Sequence, residues 1–212
     1  MKPVYKLSFY FLLVVSFFCS SVMGFCQDAT PEIYNCEHKL GFSIGYGDQK
    51  VNLVGLGIDL QVDYTYKIIF TQINYIYSFL NNNQWDLGIS LQSEYGITTF
   101  KSNQNDLKNS KSYEFGISAG LILSYKVIRE KLKLYSLIAT GPHYSEESPQ
   151  RQISGFMFNS NFDLGIIVLI KNNLNLDFRT GFRHLSNANL RSPNFGINNL
   201  IFTIGLLYQI YN

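Results

Sequence analysis

Residues Trp85–Ile97 read WDLGISLQSEYGI. Trp85, Leu87, Ile89, Leu91, Tyr95 and Ile97 alternate with Asp86, Gly88, Ser90, Gln92, Glu94 and Gly96. Side chains of an extended chain point alternately to opposite faces, so this period of two predicts a strand that is apolar on one side and polar or small on the other. The pattern recurs in both directions along the chain. Upstream, Leu40, Phe42, Ile44 and Tyr46 alternate with Gly41, Ser43, Gly45 and Gly47. Downstream, Tyr113, Phe115, Ile117, Ala119, Leu121, Leu123 and Tyr125 stand opposite Ser112, Glu114, Gly116, Ser118, Gly120, Ser124 and Lys126. A less regular strand follows at about Leu132–Tyr144. Phe156, Phe158, Phe162, Leu164, Ile166 and Val168 then alternate with Asn159, Asn161, Asp163 and Gly165, and two last strands are expected at about Asn173–Ser186 and Ile197–Tyr211. Between Gly57 and Leu80 the apolar parity changes, from Ile58, Leu60, Val62, Tyr64 and Tyr66 to Ile69, Ile73, Tyr75, Tyr77 and Phe79. A β-bulge near Lys67 in one long strand is the favoured reading, with a short separate strand as the alternative.

Alternation alone does not separate a sandwich from a membrane barrel. Length and connection do. Several strands exceed the ~5 to 6 residues usual in globular proteins and reach the ~9 to 11 that a tilted membrane strand needs. Connections alternate between short ones at Asn81–Gln84, Ile128–Lys131 and Lys171–Asn173 and longer ones at about Asp48–Leu56, Lys101–Lys111, Ser145–Ile153 and Asn187–Gly196. Short turns on one side and longer loops on the other are the arrangement of an outer-membrane barrel. The expected fold is therefore all-β, an eight-stranded antiparallel transmembrane β-barrel of the bacterial outer membrane.

The remaining composition is consistent with this. The 15 Tyr, 17 Phe and 15% charged residues favour strands over helices. Residues 1–24 carry Lys2 and Lys6, an apolar run from Leu7 to Phe18 and small residues around Ser20, Ser21 and Gly24, the pattern of a secretory signal peptide. Residues 25–37 are then a periplasmic lead and 38–212 the barrel. Losing the signal leaves bases and acids equal in number, so no basic stripe argues for nucleic acid. Past the signal, no apolar run approaches the ~20 residues of a spanning helix. Cys26 and Cys36 are free to pair in an oxidising compartment, unless cleavage removes Cys26. No Cys or His cluster has metal spacing and no glycine loop would cradle phosphate, so no cofactor is implied.

Chemistry concentrates in Phe182–Asn198, FRHLSNANLRSPNFGIN. His184 and Ser186 stand two residues apart and share one face of a strand, a spacing that suits a base and a nucleophile. On the expected seventh strand Leu174, Leu176, Phe178 and Phe182 share their parity, which faces lipid, while Asn175, Asp177, Arg179 and Arg183 face the lumen. Asn198 continues the apolar even face of the last strand. Three polar side chains thus interrupt two adjoining lipid-facing surfaces at the outer rim. Placing them there costs roughly 1 to 3 kcal/mol each unless they are paired. The bland alternative is that the strand has by then left the hydrocarbon for the headgroup zone.

At these residues the chain resembles the lipid A 3-O-deacylases, outer-membrane acyloxyacyl hydrolases with a His-x-Ser-Asn-Ala signature followed by Pro-Asn-x-Gly. His184, Ser186, Asn187, Ala188, Pro193, Asn194 and Gly196 match in order and spacing. The resemblance implies a nucleophilic Ser186, a base His184, and an oxyanion stabilised by Asn187 or by backbone N–H groups of the turn through Ala188 and Asn189. It implies lipid A of the outer leaflet as partner and loss of its 3-position acyl chain by hydrolysis. Asn198 stands where that family has a glutamate. Outer-membrane phospholipase A, another lipid-facing barrel, uses a Ser-His-Asn set, so a phospholipase is the first rival reading and a catalytically silent structural or adhesive barrel the second. Arg151 and Arg191, in outer loops, are candidates for phosphate contacts. His143, with Glu146 and Glu147 nearby, reads as part of a solvated loop. His38 receives no role, and the tyrosines are expected in interfacial belts.

Overall fold

The computed structural model describes residues 36–49, 64–101, 108–129 and 131–210. The signal segment, Cys26, and the residues from Gly57 to Val62 lie outside them. Eight strands form a closed antiparallel barrel in chain order. They are β1 (Glu37–Asp48), β2 (Thr65–Asn81), β3 (Trp85–Lys101), β4 (Ser110–Ile128), β5 (Leu132–Ser145), β6 (Gly155–Lys171), β7 (Leu174–Ser186) and β8 (Ile197–Ile210). Pairing of β1 with β8 closes the ring, from His38 opposite Ile210 to Asp48 opposite Leu200. Short turns join β2 to β3, β4 to β5 and β6 to β7 at one end, and the longer connections lie at the other. These are called the turn end and the loop end.

The alternation settles into an outer apolar wall. Phe42, Leu91, Ile117, Leu164 and Phe202 are about half exposed on it. Aromatic pairs stand near both ends of the strands, with Trp85 against Tyr125 at 4.8 Å and Tyr95 against Tyr113 at 6.3 Å. The wall's inner face holds most of the polar residues, and many of them pair with one another across the lumen. Lys133 Nζ lies 2.7 Å from Asp86 and 3.4 Å from Glu37, and Lys126 lies 3.1 Å from Asp86. Arg179 donates to Gln72, and Tyr135 donates to Asp177 at 2.6 Å.

The lumen is not polar throughout, and this corrects the reading of β2. Its register against β3 runs unbroken from Thr65 to Ser78, with the irregularity between Ser78 and Leu80 and none near Lys67. Tyr66, Ile68 and Phe70 therefore point inward, where they pack with Tyr64, Phe100, Met157, Leu185, Ile197 and Ile201 as an apolar plug towards the loop end. A second inward cluster, including Ile122, Leu137 and Leu207, fills the turn end. Gly45 makes room for the first plug, since a Cβ there would stand 2.2 Å from the Phe70 ring. Tyr64, Tyr66 and Tyr135 belong to this interior and not to the interfacial belts.

Candidate active site

β7 carries His184 and Ser186 on its outward face, both partly exposed, while the residues of the opposite parity, Arg183 and Leu185, are fully buried inside. Asn198 lies on β8 directly opposite His184 in the register. The imidazole Nδ1–H donates to Asn198 Oδ1 at 2.6 Å. An amide oxygen can only accept, so this bond places a proton on Nδ1, and in the neutral imidazole Nε2 is the basic nitrogen. Ser186 shares the face of His184 one pleat further along. Among the described residues no hydrogen bond joins its hydroxyl to the imidazole, and such bonds often close only when substrate arrives. Gly196 abuts the ring with φ at 73°, and a Cβ there would lie 2.6 Å from His184 Cε1. A glycine is required on both counts.

The loop that follows Ser186 is fastened from within. Asn187 is fully buried, its N–H donates to Asn194 Oδ1 at 2.9 Å and its Nδ2 donates to the Arg191 carbonyl at 2.8 Å. Its backbone N–H and one of its two side-chain N–H groups thus tie the loop together. The turn backbone offers donors of its own. Ala188 and Asn189 have φ of 52° and 65°, and their N–H groups bond to no backbone carbonyl among the described residues. The β5–β6 loop braces the same segment. Ile153 N–H donates to the Pro193 carbonyl at 3.0 Å, Phe195 N–H to the Arg151 carbonyl at 3.2 Å and Gly196 N–H to Gln152 Oε1 at 3.0 Å.

Asn198 has a second support that the sequence reading missed. β1 ends at Asp48, opposite Leu200, so among the described residues Ile197–Asn199 have no β1 partner. β2 and the residue before it fill in. Asn198 N–H points at the Tyr64 hydroxyl at 3.4 Å, and Asn199 Nδ2 donates to the Tyr66 carbonyl at 3.2 Å. The Tyr64 ring is capped by the Arg151 guanidinium, 4.7 Å from its centroid, which also stands 5.5 Å from the Phe195 ring. Burial pushes the Tyr64 phenol above its ordinary range, so it is neutral at physiological pH. Arg151 thus acts as a cap on an aromatic ring, and exposed Arg191 donates to the Ser154 carbonyl at 3.0 Å.

His143 is not in a solvated loop. It has the inward parity of β5, is 2% exposed, and its Nε2 lies 3.4 Å from Arg183 Nη2 and 3.8 Å from Glu114. Glu94, Glu114 and His143 gather their donor atoms within 4.8 Å of one another. Arg183 Nη2 stands among them, pairing with Glu114 and lying 3.1 Å from Glu94. The guanidinium takes the place a cation would hold. Glu146 and Glu147, exposed on the loop, are not part of this group.

A family model described as lipid A 3-O-deacylase (PagL) matches residues 65–206. No curated protein matches the sequence. Among solved structures, the outer membrane enzyme PagL aligns with a TM-score of 0.52 at 14% identity, covering 81% of this chain and 99% of that one. The outer membrane protein OprG from Pseudomonas aeruginosa aligns at 0.47 and 11% identity, over 84% and 98%. Ail, the attachment invasion locus protein of Yersinia pestis, aligns at 0.45 and 14%, over 84% and 99%. At such identity the PagL match speaks for the fold alone.

Proposed function

The chain belongs to the lipid A 3-O-deacylase family, and from that premise we propose that it is an outer-membrane serine esterase that hydrolyses the 3-position acyl ester of lipid A and releases a fatty acid. The observation that carries this reading is the hydrogen bond from His184 to Asn198 on the outward face, one pleat from Ser186. It leaves Nε2 as the base. Ser186 Oγ attacks the ester carbonyl while its proton passes to Nε2, and the tetrahedral oxyanion is held by the N–H groups of Ala188 and Asn189. Collapse expels the sugar alkoxide, which takes the proton from Nε2. Water, deprotonated by the same nitrogen, then attacks the acyl-serine, releasing the fatty acid and restoring Ser186.

Position supports an outer-leaflet substrate. β7 has 13 residues from the turn to Ser186. At ~3.3 Å per residue and a tilt of about 40°, the serine stands roughly 30 Å above the turn end, close to one hydrocarbon thickness. With the turns in the periplasm, the nucleophile meets the outer boundary of the bilayer, where ester linkages lie. The Ser-His-Asn composition also favours the phospholipase reading, and one assay separates the two. Purified protein in detergent is given lipopolysaccharide and phospholipid separately, and released fatty acid is followed by mass spectrometry. Release from lipopolysaccharide that vanishes in Ser186→Ala is expected. Release from phospholipid alone would favour the rival, and release unaffected by Ser186→Ala would overturn the esterase reading.

A further inference from the structure

The register places more polar groups beside His184 than the motif contains. On the outward face, Asn198 stands opposite His184, His184 opposite Ser160 on β6, Ser160 opposite Thr140 on β5, and Thr140 opposite Ala119 on β4. Ser160 and Thr140 are both exposed on this face. The row one pleat towards the turn end is wholly apolar, with Leu200, Phe182, Phe162 and Ile138 in register. The row towards the loop end holds Ser186, Phe158 and Pro142. A trough of small and polar side chains therefore leads sideways from the imidazole across β6 and β5, between two ridges of bulky ones.

Proton counting defines what the trough accepts. Thr140 Oγ1 donates to the Asn159 carbonyl at 2.9 Å and lies 3.0 Å from Ser160 Oγ. With the Thr140 proton spent on the carbonyl, Ser160 donates to Thr140 Oγ1. In that arrangement Ser160 Oγ keeps its lone pairs free and turns an acceptor outward. Directly opposed residues have Cβ atoms about 5 Å apart, which puts that acceptor next to the imidazole.

We propose that Ser160, fixed by Thr140, is a specificity subsite that accepts a hydrogen bond from an N–H or O–H donor adjacent to the scissile ester. This rests on the esterase reading above and sharpens it. An acylated amino sugar carries such a donor next to its ester, whereas a diacylated glycerophospholipid carries none on its glycerol, so the trough would favour the sugar lipid. A site built to bond a donor discriminates against substrates lacking it through the acceptor left unpaired.

The test compares three synthetic esters of one acyl chain, on an N-acetylated amino sugar, on the corresponding sugar with a free hydroxyl in place of the amide, and on a fully methylated sugar. Ser160→Ala is expected to raise KM about tenfold for the esters that keep a donor and to leave kcat, and the methylated ester, unchanged. Binding of the same amino-sugar ester to Ser186→Ala, with and without Ser160→Ala, gives the effect without turnover. Equal loss on all three esters, or unchanged binding of the amino-sugar ester, would overturn the subsite. A raised KM for the amide alone would assign the N–H, and for both donors either group. Absence of Ser186-dependent hydrolysis of every ester would instead defeat the esterase reading, with the binding arm still deciding the subsite. Heat-dependent gel mobility checks that each variant keeps its barrel.

Discussion

Asn198 offers the imidazole one acceptor oxygen where a carboxylate offers two and a charge besides. The 2.6 Å bond from His184 fixes the tautomer, which is the part of the task an amide performs as well as an acid. The part it does not perform is stabilising the imidazolium. Asn198→Ala is expected to lower kcat about 10²-fold or more by releasing the ring, with little change in KM. Asn198→Glu restores the charge and is expected to raise kcat several-fold in the detergent assay, since an opposite charge favours the imidazolium. Inactivation by that change would show a site shaped around the amide, in which Tyr64 and the backbone of Asn198 hold the single oxygen where it is needed.

Among the elements, β7 shows how two jobs share one strand. Its outward parity presents His184 and Ser186, and its inward parity supplies Arg179 and Arg183 to the buried networks. The outward half was legible because a period of two declares faces without any knowledge of partners. The inward half was not. The partners of Arg183 are Glu94, Glu114 and His143, 89, 69 and 40 positions away, and they meet only through the registers of intervening strands. Tyr66 misled for a different reason, since β2 near Tyr66–Phe70 is apolar on both faces and parity there names no side. The loop after β7 was readable as a motif but not as a structure. Asn187, a candidate oxyanion donor by its place in the motif, also ties the loop through bonds that the motif does not declare. Asn187→Ala is expected to cut turnover about tenfold by freeing Ala188 and Asn189, while gel mobility reports an intact barrel.

At the scale of the molecule, the wall separates two solvents. Ile204, in the middle of β8 and about half exposed, faces outward, whereas Phe195 lies exposed on the loop. In a bilayer the first position is hydrocarbon and the second is not. Ile204→Arg is expected to cost roughly 2 to 4 kcal/mol in urea unfolding from lipid vesicles, and Phe195→Arg about 1 kcal/mol or less. Equal small costs would mean that the wall does not meet lipid.

The overhang of β8 beyond β1 ties activity to assembly. A β7–β8 hairpin alone already pairs His184 with Asn198, only 14 positions apart. Tyr64 is 134 positions from Asn198 and reaches it only once the first strands have met the last. The strut that steadies the third member of the site is thus the last to arrive. A chain still threading into the membrane, its seam unzipped, holds His184 and Asn198 together without the strut that steadies them in the finished cylinder.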